Sequence, residues 1–248
     1  MPSYLVTGSS RGLGLGFVTQ LLRNKDNIVV ATARDTAGSS GLQELNARNN
    51  EGRLILIDLD VTKAESIKSA AEQTAKVLPE GLDHLISNAG VSGNLMRHVR
   101  DVDELVEEVK FPLVSLLLLV RGFLPLIQKG QAKKILVITS VVGSLTIAPL
   151  TENLGYGYGI ARAALNMMAR KWSTPLKAKG VTIALIHPGW VDSTDMGSSI
   201  VPWAEKNPSA LSSITVEQSA AGVTKVLHDL KIEDTGSFYN YDGTTLPW

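Results

Sequence analysis

The chain has 248 residues, 44% of them apolar and 19% charged, which provides for a sizeable core and argues against disorder. Lysine plus arginine and aspartate plus glutamate number 24 each, so no net charge attracts nucleic acid or an anionic membrane. There is no cysteine, which excludes disulfides, thiolate catalysis and cysteine-bound metal. The histidines are scattered without metal-ligand spacing, at His84, His98, His187 and His228. No signal-peptide pattern opens the sequence, so we expect a soluble cytoplasmic protein without a metal.

The first predicted element is a buried strand, Tyr4–Thr7, which meets a glycine turn and then an apolar helix, Phe17–Leu22. Gly8, Gly12 and Gly14 lie between the two elements. A helix N-terminus after a glycine turn attracts an anion through its free N–H groups and its dipole, and glycine lets a diphosphate approach the backbone. Glycines also close turns and cap helices, but the strand before and the helix after favour a dinucleotide cradle.

The second predicted strand, Asn27–Ala33, ends at Arg34, with Asp35 one place further on. In a dinucleotide-binding fold this strand end faces the adenosine ribose, where an acid selects NAD and an arginine accommodates the 2′-phosphate of NADP. Arg11, inside the glycine loop, is a second cation near the same ribose. The two arginines favour NADP, and the alternative is that both are solvated surface charges.

Strands and helices then alternate, which indicates a parallel sheet with helices on both faces and a ligand site at the carboxyl ends of the strands. The next predicted elements are a polar helix at Gly41–Asn50, a strand at Leu54–Leu59, a helix at Ala64–Leu78 and a strand at Leu82–Ser87. Thr62 and Glu65 predict a capping box for the second of these helices. Asp60 directly follows one of the strands, where it is a candidate ligand contact or an ordinary turn residue.

A long helical region follows at Val102–Gln128, and Phe111-Pro112 is expected to interrupt it because proline lacks a backbone donor. The apolar stretch Val114–Leu124 fits a core helix or a subunit-contact helix, and we favour the core. Its segment Val114–Val120 is too short to span a bilayer.

The remaining elements continue the alternation toward the end of the chain. They are strands at Lys134–Thr139, Val181–Ile186 and Gly236–Tyr241, helices at Ala163–Lys177 and Thr215–Leu230, and an irregular segment at Val141–Gly155. The polar segment Ser193–Pro208, with two prolines, is expected to form a loop or lid over the strand ends.

The motifs TGSSRGLG, DVT, SNAG, ITSVVGS, YGYGIARAALN, IHPGWV and FYNYDGTTLPW cover essentially the whole chain. Together they resemble the short-chain dehydrogenase/reductase family, and most closely its sniffer-type carbonyl reductases. The resemblance implies one α/β domain over residues 1–248, a Rossmann-type doubly wound parallel sheet with helices on both faces. It also implies an NADP(H)-dependent oxidoreductase that reduces a ketone or aldehyde.

In this family a tyrosine gives a proton to the developing alkoxide, a serine hydrogen-bonds the carbonyl oxygen, and a lysine one helical turn after the tyrosine binds the nicotinamide ribose. Ser140 and Tyr158 match the serine and the tyrosine, and Tyr156 is the weaker candidate for the proton donor. The lysine position carries Arg162, and the position of a supporting asparagine falls on Pro112. An arginine can stabilise a tyrosinate and bind a ribose hydroxyl, but it cannot release a proton.

The resemblance also assigns cofactor contacts to the glycine loop, to the strand ends and to the turn after the sixth strand. These residues are Gly8, Ser10, Arg11, Gly12, Leu13, Gly14, Arg34, Asp60, Val61, Asn88, Ala89, Gly90, Tyr158, Arg162, Pro188, Gly189, Val191 and Thr194.

The sequence is therefore compatible with two functions. The first is an NADPH-dependent reductase of a carbonyl group on an apolar small molecule. The second is an NADP-binding fold that has lost its redox chemistry and serves a cyclisation, an isomerisation or a regulatory binding role. Trp190, Met196, Trp203 and Tyr156 suggest an apolar or aromatic substrate, although each also fits core packing. Family members are commonly dimers or tetramers, so a homo-oligomer is a further expectation, whereas a nucleic-acid or membrane partner is not.

Overall fold

The computed structural model describes residues 1–49, 51–90, 95, 101–151, 153–208 and 211–248. Its strands are β1 (Ser3–Thr7), β2 (Ile28–Ala33), β3 (Leu54–Asp58), β4 (His84–Ser87), β5 (Lys134–Ile138), β6 (Thr182–His187) and β7 (Phe238–Asn240). They form one parallel sheet in the order β3-β2-β1-β4-β5-β6-β7. Parallel strands covered on both faces are apolar throughout, and β1 accordingly has no exposed residue. Two residues named above lie outside the described residues. They are His98 and Asn50, and Asn50 is the predicted last residue of the helix Gly41–Asn50.

Two layers of helices cover the sheet, as the alternating pattern predicts. The helices are α1 (Gly12–Leu22), α2 (Ser40–Arg48), α3 (Ala64–Val77), α4 (Val102–Lys129), α5 (Tyr156–Lys177), α6 (Asp195–Ser198), α7 (Val201–Lys206) and α8 (Val216–Asp229). Residues of α3, α4 and α5 share one core cluster with the sheet, and residues of α1, α2 and α8 share the other. The doubly wound α/β fold is confirmed, and all strand ends that were predicted to bind ligand lie at one edge of the sheet.

The long helix α4 is continuous, so the predicted interruption at Phe111-Pro112 is wrong. Pro112 is buried within the helix, and a row of buried apolar side chains, among them Leu116, Leu119 and Phe123, fixes α4 on the sheet. Tertiary packing of that face outweighs the local cost of one proline.

Among the described helices, α4 alone is long and apolar enough to cross a bilayer by length and composition. Its apolar face packs on the sheet, where it contributes to a core cluster, so its sequence is explained by the predicted core role.

Two local predictions fail at helix starts. Thr62 does not cap α3, because its hydroxyl donates to Asp60 Oδ1 at 2.6 Å, and the N-cap residue is Lys63. The segment Ser193–Pro208 is not an irregular loop, because it holds the short helices α6 and α7, and its role as a lid stays a prediction. Thr194 caps α6, and a proline lies in the first turn of α7, where its missing N–H is not needed.

Two histidines lie inside the fold: His84 is buried, and His187 is partly buried at the end of β6. His84 stacks on Tyr4 at a centroid distance of 4.3 Å, and its Nδ1 lies 3.2 Å from the Ser3 carbonyl, to which it donates. Burial lowers the pKa of His84 from 6.5 to about 4, and burial does the same for His187. Both side chains are therefore neutral in the folded protein at neutral pH.

We expect the free energy of unfolding to decrease as the pH falls from 6.5 to 4. In that window the unfolded chain binds protons that the folded chain excludes, and His84 alone accounts for up to about 3 kcal/mol. Urea unfolding across this range measures the slope, which His84→Gln is expected to flatten. The exposed His228 supplies the matched control, His228→Gln, and an equal slope in both variants would contradict the assignment.

Candidate active site

Close packing fixes the glycine loop between β1 and α1. Gly8 has a φ of +69°, and a Cβ placed there would lie 2.8 Å from the Ala89 Cα atom. A Cβ at Gly14 would lie 2.1 Å from the Gly8 carbonyl oxygen. Gly12, with a φ of +56°, would bring its Cβ only to within 3.7 Å of Thr194 Cγ2. Close packing thus requires glycine at positions 8 and 14. Gly12 is needed for its left-handed backbone, because a side chain there would make only an ordinary van der Waals contact with Thr194.

The N-terminus of α1 fits a bound diphosphate. Arg11, the N-cap residue, makes no capping side-chain hydrogen bond, and the first turn carries no acidic side chain. Ser39 Oγ donates to the Ser10 carbonyl at 3.0 Å, which holds the loop against α2. The side chain of Leu13 is partly buried against a core cluster, so the predicted contact of this residue with a cofactor would be made by its backbone. Among the described residues, no side chain accepts from the first N–H groups of α1, as an anion-binding helix end requires.

The acids at the ends of β2 and β3 are engaged in their own turns. Asp35 Oδ1 accepts a hydrogen bond from Gly38 N at 2.8 Å. Asp58 Oδ1 accepts from both Thr36 N and Thr36 Oγ1, and these bonds lower the pKa of the Asp58 carboxyl. Arg34 is exposed at the end of β2. The turn therefore holds Asp35 in a local hydrogen bond, and the contact of Arg34 with a 2′-phosphate stays a prediction.

Asp60 and Val61 adopt the arrangement of a turn. Asp60 Oδ1 accepts from Thr62 N at 3.0 Å, its Oδ2 lies 3.4 Å from Lys63 Nζ, and the bond from the Thr62 hydroxyl lowers the pKa of the carboxyl. Val61 is buried in the core. The structure thus supports the turn interpretation of Asp60, and its adenine contact stays a prediction.

The end of β4 is tied to the glycine loop. Asn88 Nδ2 donates to the Thr7 carbonyl at 2.9 Å, and the Thr7 hydroxyl accepts from the backbone N–H groups of Asn88 and Ala89. Gly90 follows, and a Cβ built there would lie 3.6 Å from Arg162 Nη2. Asn88 therefore positions the loop, and Gly90 brings the strand end close to Arg162.

Tyr158 and Arg162 lie one above the other on α5. The guanidinium carbon of Arg162 is 4.6 Å from the centroid of the Tyr158 ring, a cation–π contact. Arg162 is only 9% exposed. Its Nη1 donates to the Ile138 carbonyl at 3.4 Å, and its buried Nε has no hydrogen-bond partner among the described residues. A buried cation without a carboxylate partner fits a site that awaits polar ligand groups.

Ser140 ends β5 and starts a short turn that packs on α5. Its Oγ accepts from Val142 N at 3.4 Å. A Cβ at Gly143 would lie 2.7 Å from the Arg162 Cβ, so this turn and α5 are in close contact. Asn166 joins the two elements, since its Oδ1 accepts from Thr139 Oγ1 at 2.6 Å and its Nδ2 donates to the Gly143 carbonyl.

Sequence reasoning did not assign a role to Asn166. A signal was present, because Tyr158, Arg162 and Asn166 follow one another at four-residue intervals and so share one face of the helix.

Tyr156 and Tyr158 differ in environment. Tyr156 is 41% exposed, and its hydroxyl is 3.3 Å from Asn153 Oδ1. Tyr158 packs instead on an apolar cluster next to Arg162. This apolar cluster consists of Leu95, Leu154, Ile200, Trp203 and Ala204, with Val142, Tyr158, Trp190, Met196 and Leu211 packed on it. Three of the four predicted pocket residues therefore lie with Tyr158, and Tyr156 does not.

The turn after β6 is rigidly held. Gly189 has a φ of +81°, and the Pro188 carbonyl accepts from Ser219 Oγ at 2.5 Å. Thr194 Oγ1 donates to the Val191 carbonyl and accepts from the backbone N–H of Gly197. The cofactor contacts predicted for Pro188, Gly189, Val191 and Thr194 stay predictions, at positions that this network fixes.

His187 lies at the end of β6. Its buried Nδ1 has no partner among the described residues, and burial lowers its pKa to about 4. These features fit a structural role for His187 in the turn better than a role in acid–base catalysis.

The described residues contain no group of three or more histidine, aspartate or glutamate side chains that could hold a metal ion.

A parallel sheet with an uncapped helix N-terminus, and with a serine, a tyrosine and an arginine at the same edge, defines the dinucleotide-dependent oxidoreductase class. Residues 3–205 match the family model described as short chain dehydrogenase, and the chain belongs to this family.

Relatives of known sequence and structure agree with this class. An uncharacterized oxidoreductase of Schizosaccharomyces pombe is 32% identical over 253 residues, covering 99% of this chain and 97% of the relative. An NADPH-bound carbonyl reductase from chicken fatty liver is 32% identical with a TM-score of 0.85, covering 100% of this chain and 99% of the other. The carbonyl reductase Sniffer of D. melanogaster is 27% identical with a TM-score of 0.86 and full coverage of both chains. The chain is an oxidoreductase of the short-chain dehydrogenase type, similar to carbonyl reductases.

Proposed function

We propose that this protein is an NADPH-dependent reductase that converts the ketone or aldehyde group of an apolar small molecule into an alcohol. The observation that carries the proposal is the placement of the buried Arg162 guanidinium against the Tyr158 ring, beside the turn that bears Ser140. A proton donor, a hydrogen-bond donor and a fixed positive charge then lie at one edge of the sheet.

The cofactor, when bound, supplies the hydride that adds to the carbonyl carbon. The residues that would hold it are the uncapped N-terminus of α1 for the diphosphate and Arg34 for the 2′-phosphate, with Arg162 at the ribose. The NADPH bound to the chicken carbonyl reductase supports the choice of NADP over NAD.

Within this site, the Tyr158 hydroxyl donates its proton to the oxygen of the substrate carbonyl, and Ser140 Oγ–H donates a hydrogen bond to the same oxygen. The positive charge of Arg162 stabilises the phenolate that remains on Tyr158. Arg162 keeps its own protons, and Pro112 offers no side-chain donor or acceptor. Tyr158 must therefore recover its proton from solvent, without a relay through Arg162 or Pro112.

The apolar cluster supports an apolar substrate. Trp190, Met196 and Trp203 pack in the same cluster as Tyr158, and Trp190 Nε1 donates to the Gly197 carbonyl, so that its ring is fixed. A carbonyl compound that reaches Tyr158 would meet these side chains, which favour apolar and aromatic groups.

The non-redox alternative rests on Arg162 and Pro112. Arg162 is, however, in contact with Tyr158 and within reach of the strand ends, where a cation can serve reduction. This geometry favours the reductase.

A test of the proposal is turnover of NADPH and NADH against a panel of aromatic ketones, quinones and aldehydes, with the alcohol product identified by mass spectrometry. We expect reduction with a preference for NADPH. Arg34→Leu is expected to raise the KM for NADPH about tenfold or more and to leave that for NADH unchanged, because only NADPH has the phosphate that Arg34 binds. Arg34→Lys, which keeps the charge, serves as the matched control and is expected to lose less. Equal KM changes for both cofactors would contradict the assignment of Arg34.

A further inference from the structure

An ion pair joins two segments on either side of the dinucleotide cradle. Arg11 Nε donates to Asp195 Oδ2 at 2.8 Å, between residues 184 positions apart in the chain. The neighbouring residues are also close together, since a Cβ built at Gly12 would be 3.7 Å from Thr194 Cγ2. The start of α6 therefore lies beside the uncapped N-terminus of α1.

Both ends of the pair are fixed to rigid elements. Arg11 is the N-cap residue of α1. Asp195 is the first residue of α6, which Thr194 caps, and Trp190 Nε1 donates to the Gly197 carbonyl in the same helix. These hydrogen bonds fix the position of α6 relative to the turn after β6.

The pair is suited to opening and closing. The two side chains are 70% and 64% exposed, and exposed ion pairs are weak and screened by salt. The contact uses the Nε–H of Arg11, and a guanidinium has further N–H donors for a phosphate. One arginine can thus bind Asp195 and a phosphate at the same time.

We propose that Arg11 and Asp195 form a clasp that closes over a bound dinucleotide and slows its release, with Asp195 as the positioning residue. The inference rests on the proposed function, because it requires a dinucleotide in the cradle. The clasp joins the start of α1, where the diphosphate is proposed to bind, to the start of α6. Breaking the pair is then part of release.

The test measures NADPH dissociation by stopped-flow fluorescence, in the absence of any carbonyl substrate. Asp195→Asn is expected to raise the dissociation rate about two- to fivefold, the range expected for an exposed pair. Asp192→Asn removes the same charge from an exposed aspartate three positions earlier and is expected to change nothing. In the wild type, salt is expected to speed release, and in Asp195→Asn this salt effect is expected to be smaller.

A double-mutant cycle isolates the pair from other effects. In an Arg11→Gln background, Asp195→Asn is expected to have no further effect on release. The proposal is overturned if Asp195→Asn releases NADPH as slowly as Asp192→Asn, or if Asp195→Asn binds NADPH more tightly, which would mean that Asp195 competes with the cofactor. A wild type that binds neither NADPH nor NADH at equilibrium would contradict the proposed function itself, and the clasp with it.

Discussion

Tyr158→Phe is expected to lower kcat for carbonyl reduction by about 10²- to 10⁴-fold, the usual contribution of a positioned general acid. The substitution removes one hydroxyl and keeps the ring that packs on Arg162 and on the apolar cluster. The affinity for NADPH and the thermal stability should therefore stay close to those of the wild type. Steady-state kinetics with NADPH fluorescence titration separate the loss of proton transfer from a loss of binding.

Tyr156→Phe is the matched control for this experiment. It removes the same group from a tyrosine two positions earlier, whose hydroxyl lies near Asn153 and whose side chain is exposed. Activity should persist in Tyr156→Phe. The opposite result, with Tyr156→Phe inactive and Tyr158→Phe active, would show that the proton donor has been assigned to the wrong tyrosine.

Arg162→Met is expected to lower kcat about 10²-fold, because it removes the charge that stabilises the phenolate of Tyr158. The charge is buried without a carboxylate partner among the described residues, so an apolar replacement of similar length should leave the protein as stable as the wild type or more stable. A fall in kcat without a fall in the thermal midpoint would mark a functional role. A large loss of stability would indicate instead that Arg162 mainly holds the strand end at Ile138.

Arg162→Lys is the informative partner of that variant. A lysine keeps the charge and can also pass on a proton, so its kcat is expected to equal or exceed that of the wild type. Activity in Arg162→Lys together with a fully inactive wild type would favour the non-redox alternative, because the arginine would then have removed the redox chemistry.

The parallel sheet was predictable from the sequence because the strands are apolar runs separated by helical segments, and a parallel sheet covered on both faces buries such runs. The start of α3 and the path of α4 were not predictable in this way. Pro112 is a helix breaker by local rules, and the packing of one face of α4 on the sheet decides against those rules. Thr62 failed as a cap because Asp60 accepts its hydroxyl, a choice between two nearby acceptors that spacing does not reveal.

In the candidate site, too, some features were predictable from the sequence and others were not. Ser140, Tyr158 and Arg162 were identified from a motif, and the structure adds that Arg162 faces the tyrosine ring. The pairing of Arg11 with Asp195 joins segments far apart in the sequence, so no local pattern predicts it.

The most direct test of the reductase is transfer of deuterium to the product from NADPH deuterated at the transferring carbon of the dihydronicotinamide ring. The wild type should place the label on the carbinol carbon of the alcohol, and Tyr158→Phe should form little product. If the wild type binds NADPH but forms no labelled alcohol from any member of the carbonyl panel, while Arg162→Lys does, the wild type is not a reductase and the proposed function is wrong.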